Sequence, residues 1–109
     1  MSESTSPVRV AVVQFDPQVG VEKCESNLRH GLELALEAVN GGANLIVLPE
    51  LSSTGYFFCN RQDAFDHSEV IPGGASVQSW IDFARRHKVY LVAGLTERDG
   101  VRLFNTGVL

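Results

Sequence analysis

Apolar positions along this chain fall into short runs and one long helical stripe, punctuated by proline, glycine and aspartate. Val8–Gln14 reads VRVAVVQ, a β-branched run of the kind found in a strand buried on both faces. Asp16, Pro17 and Gly20 interrupt it. From Val21 to Asn40 the period lengthens. Leu28, Leu32, Ala35, Leu36 and Val39 recur at i, i+4, i+7, i+8 and i+11, which is the stripe of an amphipathic helix. Gly41 and Gly42 supply its stop, because glycine enters the left-handed conformation cheaply. Asn44–Leu48 (NLIVL) then reads as a second strand, halted by Pro49. Strand, helix and strand with short joints predict a βαβ unit, hence a parallel pair with a right-handed crossover.

The pattern continues in the same style. Glu50 to Ala75 is loop-rich, with a short helix predicted around Arg61–His67 and a loop at Pro72, Gly73 and Gly74. Ser76 is placed to cap a second helix running to about His87, with Val77, Trp80, Ile81 and Ala84 on one face. Val89–Ala93 is a third strand, and Arg98, Asp99 and Gly100 signal a turn that returns Arg102–Leu109 as a hairpin partner. The order β-α-β-α-β-β is an α/β fold, with the first three strands neighbours in one sheet and both longer helices on one side. Residues 1–7 read as a disordered leader ahead of a domain portion at 8–109. The last strand has no closing helix to cover it, so the sequence looks cut short, and self-association through its bare edge is expected.

Composition narrows the functional classes. The 109 residues are 44% hydrophobic and 20% charged, ordinary globular proportions. Nine basic against thirteen acidic side chains leave a net charge of −4. That balance, with no cluster of Lys and Arg, argues against a nucleic-acid partner and against anionic lipid. The apolar runs are far shorter than the ~20 residues of a membrane helix. The polar start lacks the basic and apolar regions of a signal peptide, so a cytoplasmic location is expected. There Cys24 and Cys59 are free thiols, and the spacing of the cysteines with His30, His67 and His87 matches no zinc site.

Ligands of open α/β sheets bind beyond the carboxyl ends of the strands. Three groups lie at such predicted ends: Gln14 to Asp16, Pro49 with Glu50, and Thr96 with Glu97. Glu50 follows a run of four apolar residues and a stiffening proline, which should hold its carboxylate at the sheet rim, partly desolvated and a good proton acceptor. It is expected to be less exposed than the other glutamates and near the ends of the first and third strands. The same position also suits a solvated or loop-capping glutamate. Glu97 sits beside a turn and reads as a solvated hairpin end. Cys59 has no histidine in a pairing position and reads as a passenger, and Cys24, at a helix start, as inert. Tyr56, Phe57 and Phe58 suit either a pocket beside Glu50 or the core of an absent part of the fold. Neither glycine pair matches a phosphate-binding loop, and Gly20 alone does not make a dinucleotide fingerprint.

Taken together, VAVVQ at Val10–Gln14, Asn27 with Leu28, GANLIVLPE at Gly42–Glu50, Thr54-Gly55-Tyr56, AGLTE at Ala93–Glu97, and Phe104 with Asn105 and Thr106 resemble the nitrilase superfamily of carbon–nitrogen hydrolases. The apolar run ending in Pro-Glu, followed by Thr-Gly-Tyr, is the most specific element. The resemblance spans Val8 to Leu109. It implies a four-layer α-β-β-α sandwich that hydrolyses non-peptide carbon–nitrogen bonds in small amides, N-carbamoyl compounds or nitriles, using Glu, Lys and Cys without a cofactor. It makes Glu50 the general base, while the Lys stabilises the tetrahedral intermediate and the Cys attacks the substrate carbon. The family's Lys and Cys motifs follow the hairpin at which this chain ends, and Lys23, Lys88 and Cys59 match neither. The chain alone is therefore expected to be inactive, and the intact protein to be a homo-oligomer. The rival reading is a non-catalytic α/β binding or interaction module that keeps Glu50 as a remnant.

Overall fold

In the computed structural model, which describes residues 6–109, four strands form one sheet in the order β1-β2-β3-β4. They are β1 (Val10–Val12), β2 (Leu45–Val47), β3 (Tyr90–Asp99) and β4 (Arg102–Val108). The first three run parallel, with Ala11, Ile46 and Leu91 aligned as partners. β4 returns antiparallel to β3 through a turn at Gly100, where the sequence places one. Three α-helices connect them: α1 (Cys24–Asn40), entered through a 3-10 turn at Val21–Lys23, α2 (Arg61–His67) and α3 (Ala75–His87). α1 and α3 pack against each other on one face of the sheet, as two right-handed crossovers advancing in one direction require. Ala35 and Trp80 meet Ile46, Leu91 and Leu95 in a single core. The fold is α/β, as predicted.

Strand alternation sorts the sheet into two unlike faces. Ala11, Val13, Ile46, Leu48, Leu91, Ala93 and Leu95 are covered and belong to the core or pack against it. Val10, Val12 and Tyr90 point the other way and are exposed, with Leu45, Val47 and Val92 half-buried beside them. The expectation that Val8–Gln14 forms a strand buried on both faces is therefore corrected. Only Val10–Val12 pairs, and its valines at 10 and 12 stand on a face that no helix covers among the described residues. These residues make two layers, one of helices and one of strands.

Three further expectations shift in detail. The stripe of α1 is centred on the buried Asn27, Gly31 and Ala35, while Leu36 is exposed on its flank, because small residues let the helix lie close to the sheet. Ser76 does not cap α3. The cap is Gly74, and Ser76 is the second residue of the helix, its N–H (2.8 Å) and its hydroxyl both donating to the Glu69 carboxylate. That carboxylate satisfies one free backbone donor of the helix start and sets a negative charge at the positive end of its dipole. Thr96 and Glu97 do not end a strand, since β3 runs on to Asp99 once β4 pairs with it. The leader lies outside the described residues for 1–5, and Ser6 and Pro7 have no regular structure.

Candidate active site

Glu50 stands three residues beyond the last residue of β2, where the chain leaves the sheet. Leu51 then takes a left-handed φ of 45°, a costly conformation for a leucine that turns the backbone sharply inward. From there Leu51, Ser52, Ser53 and Thr54 are all buried. Ser52 donates through its N–H (2.9 Å) and its hydroxyl (3.2 Å) to the Gly94 carbonyl in β3. Gly55 closes the turn by donating to the Leu51 carbonyl at 2.8 Å; its φ of 75° suits glycine, and a Cβ there would lie 3.0 Å from the Pro17 carbonyl oxygen.

A second tie comes from α1. The buried Asn27 side chain donates to the carbonyls of Gln18 (2.7 Å) and Ser53 (3.0 Å), and accepts from the Gln18 N–H at 2.8 Å. One amide thus joins the loop after β1 to the loop after Glu50. Buried polar groups cost about 1–3 kcal/mol each when left unpaired, so this three-way junction resists displacement. Glu50 is mounted on a rigid base.

The carboxylate itself faces the uncovered side of the sheet. The Glu50–Leu51 backbone lies directly on β3 at Gly94, where a Cβ would come within 2.8 Å of the Leu51 nitrogen and 2.9 Å of the Glu50 Cα. Asn105 of β4 projects from the same face and donates from Nδ2 to Glu50 Oε1. Leu48, Val92, Gly94, Asn105 and Gly107 line an open depression of about 320 Å³ beside the carboxylate. A larger apolar depression of about 520 Å³ lies elsewhere, between α3 and the end of β4, and holds no acid or nucleophile.

Several expected features come out differently. Glu50 is at the carboxyl end of its strand but is exposed, and Glu69 and Glu97 are more covered than it is. The loop that follows it, Leu51–Gly55, is what the fold buries; the Glu50 side chain stays open because no second layer lies on this face among the described residues. The Glu50 backbone meets β3 at Gly94, just past the part of β3 that pairs with β2. Tyr56 and Phe57 are exposed and do not line the Glu50 depression, whereas Phe58 turns inward with its ring edge-on to His67. Glu97 lies on the opposite face of β3 by alternation and accepts from the Thr106 hydroxyl at 2.8 Å, a structural bond. The Cys24 thiol is pushed above its ordinary value of 9.0 by burial first, then by the charges of Glu69 and Glu22, so it is held protonated and unreactive. Cys59 is exposed. Among the described residues no three His, Cys, Asp or Glu side chains gather as metal ligands.

The family model of the carbon-nitrogen hydrolases matches residues 9–109. The chain belongs to the carbon–nitrogen hydrolase family. It is 41% identical over 102 residues to a nitrilase of Pyrococcus abyssi, covering 94% of this chain and 38% of that protein. It is 34% identical to an omega-amidase of Mus musculus, covering 93% of this chain and 34% of the relative. The chain therefore spans little more than a third of the curated hydrolases it matches. Among solved structures, a nitrilase-superfamily protein of Saccharomyces cerevisiae superposes with a TM-score of 0.77 at 26% identity, over 92% of this chain and 38% of that one. An N-terminal amidase gives 0.75 at 25% identity, over 92% and 24%. As in the sequence reading, the carbon–nitrogen hydrolase pattern runs through nearly the whole segment. No helix among the described residues is long and apolar enough to cross a membrane.

Proposed function

We propose that this segment supplies the general base of a hydrolase acting on non-peptide carbon–nitrogen bonds in small amides, N-carbamoyl compounds or nitriles, and that Glu50 is that base. The observation that carries the reading is a carboxylate with an accessible head beside an open depression, followed directly by a buried loop, Leu51–Gly55, that is hydrogen-bonded to β3 and to α1. A solvated or capping glutamate needs no such base. The relatives named above as nitrilase and omega-amidase support the bond class.

In this proposal Glu50 takes the proton of a cysteine thiol as the sulfur attacks the substrate carbon. With an amide it then passes that proton to the departing ammonia; with a nitrile it passes it to the nitrogen of a thioimidate, which water converts to the thioester with loss of ammonia. Glu50 next deprotonates the water that cleaves the thioester. A lysine faces the oxyanion of each tetrahedral intermediate. Both the cysteine and the lysine come from outside these 109 residues, on a layer that packs over Val10, Val12, Tyr90 and Glu50. Tyr56 and Phe57, exposed on the loop after Glu50, would meet that layer.

The test is ammonia release from a panel of small amides, N-carbamoyl amino acids and nitriles. The 109 residues alone should release none, because a base without its nucleophile has no thiol to activate. In the polypeptide that carries them with the Lys and Cys, Glu50→Gln should keep substrate binding and lower kcat by at least about 100-fold. Near-normal turnover in that variant would remove Glu50 from the mechanism. Binding of these compounds by the active-site variant and by wild type alike, with turnover in neither, would favour the non-catalytic module.

A further inference from the structure

We propose that Asn105 is a positioning residue for Glu50: it selects which carboxylate oxygen takes the proton. This rests on the reading of Glu50 as the base, and concerns a residue on a different strand, 55 positions further along the chain.

The hairpin register brings the pair together. Gly94 of β3 is the partner of Gly107 on β4, and Thr96 is the partner of Asn105. Gly94 carries the Glu50 backbone on its open face, so Glu50 is fixed over the sheet at that point. Asn105 is one side-chain repeat from Gly107 and emerges on the same face. Its Nδ2 reaches Glu50 Oε1.

Three features separate positioning from mere stabilisation. Both side chains are exposed, so water would satisfy either group, and the bond adds little to folding. What it does fix are the torsions of a glutamate side chain that would otherwise sample several rotamers. It occupies Oε1, which leaves Oε2 as the proton-accepting oxygen. The donor is also an uncharged amide. A Lys or Arg in its place would hold the carboxylate equally well while strongly favouring its ionised form, making it a weaker base. Asparagine is otherwise disfavoured within strands, so its presence at this position calls for a reason of this kind.

The contact is tested on the chain itself by following the Asn105 side-chain amide resonances as the pH falls through the range where carboxylates protonate. They should move with the Glu50 carboxylate in wild type and stay still in Glu50→Gln; resonances indifferent to Glu50 would overturn the proposal. The consequence is tested in the hydrolase carrying the segment. Asn105→Ala should lower kcat about 10–100-fold with KM nearly unchanged, the usual cost of a misdirected catalytic group. Asn105→Gln, which retains the amide on a longer arm, should recover part of the loss, and Asn105→Asp, which faces Glu50 with a second carboxylate, should recover none. Wild-type turnover in Asn105→Ala beside a dead Glu50→Gln overturns the positioning role alone. If Glu50→Gln is itself active, the reading of the base fails instead.

Discussion

The two faces of one sheet divide the work of this molecule. On the helix side, Ile46 is 0% exposed and lies in a core closed by Ala35, Val77 and Trp80. One strand away on the other side, Val12 is 76% exposed, in line with Val47 and Val92. The same β-branched residue types appear on both, so composition does not separate them. What differs is the cover: two crossover helices lie on one face, while the other carries Glu50, Asn105 and the open depression. Stability is concentrated opposite the proposed site, and a site on the open face would admit a substrate and a second layer without opening the core.

Exchanging like residues across the sheet gives the largest expected contrast. Ile46→Ala should cost about 2–5 kcal/mol, because it deletes fully buried methylenes and leaves a cavity. Val12→Ala should cost less than about 1 kcal/mol. Urea or thermal unfolding of the two variants measures the difference. Equal losses would mean that the valine face is covered in solution, by another copy of the chain or by residues not yet accounted for.

Much of this division was legible from residue order, and the reasons are local. The β-α-β-α-β-β order, the shared side of α1 and α3 and the hairpin turn at Gly100 follow from periodicity, glycine placement and crossover handedness, all properties of short segments. The apolar run and the proline before Glu50 make its place beyond the carboxyl end of β2 readable from the sequence. The exposure of its carboxylate was missed, because burial depends on what covers a face, and the VRVAVVQ run is equally apolar whether one face or both are covered. Asn27 and Asn105 entered only as pieces of a family resemblance. Their roles depend on partners 9 to 55 positions away, and chain-local patterns carry no such information. A signal did exist for Gly94, since a lone glycine inside a strand marks close approach by another backbone. Ser76 was misjudged because Glu69, seven residues earlier, does the capping.

A cross-strand pair of glycines sharpens the comparison within the open face itself. A methyl at Gly94 collides with backbone atoms of Glu50 and Leu51, which cannot swing aside as a side chain could. Gly94→Ala should therefore cost about 1–3 kcal/mol and displace Glu50. At its partner Gly107 an added Cβ meets nothing within 4 Å. Gly107→Ala should be neutral or stabilise by up to about 1 kcal/mol, by restricting the unfolded chain. Unfolding midpoints and backbone amide shifts around Glu50 distinguish the two, and a tolerated Gly94→Ala would show that the Glu50 turn is looser than its bonds suggest.

The smallest expected effect concerns the two thiols, one covered and one open. Cys24 begins α1, half-buried, with its sulfur 3.9 Å from the Gly20 carbonyl oxygen, and burial together with Glu69 and Glu22 raises its pKa above 9.0. Cys59 is exposed in the loop before α2. Alkylation proceeds through the thiolate, so at about pH 8 iodoacetamide should modify Cys59 at least about 10-fold faster than Cys24, read by mass spectrometry of the labelled peptides. The sign of the stability effect follows from linkage. The folded chain holds the Cys24 proton more tightly than the unfolded chain does, so its contribution is intact below the unfolded value and is lost as the pH rises through the folded one. Wild type should therefore lose stability above about pH 9 slightly faster than Cys24→Ala, whose position 24 does not titrate. Equal labelling of the two cysteines would show that the start of α1 opens readily, and with it the Asn27 junction one turn further along that ties the Glu50 loop to the helix face.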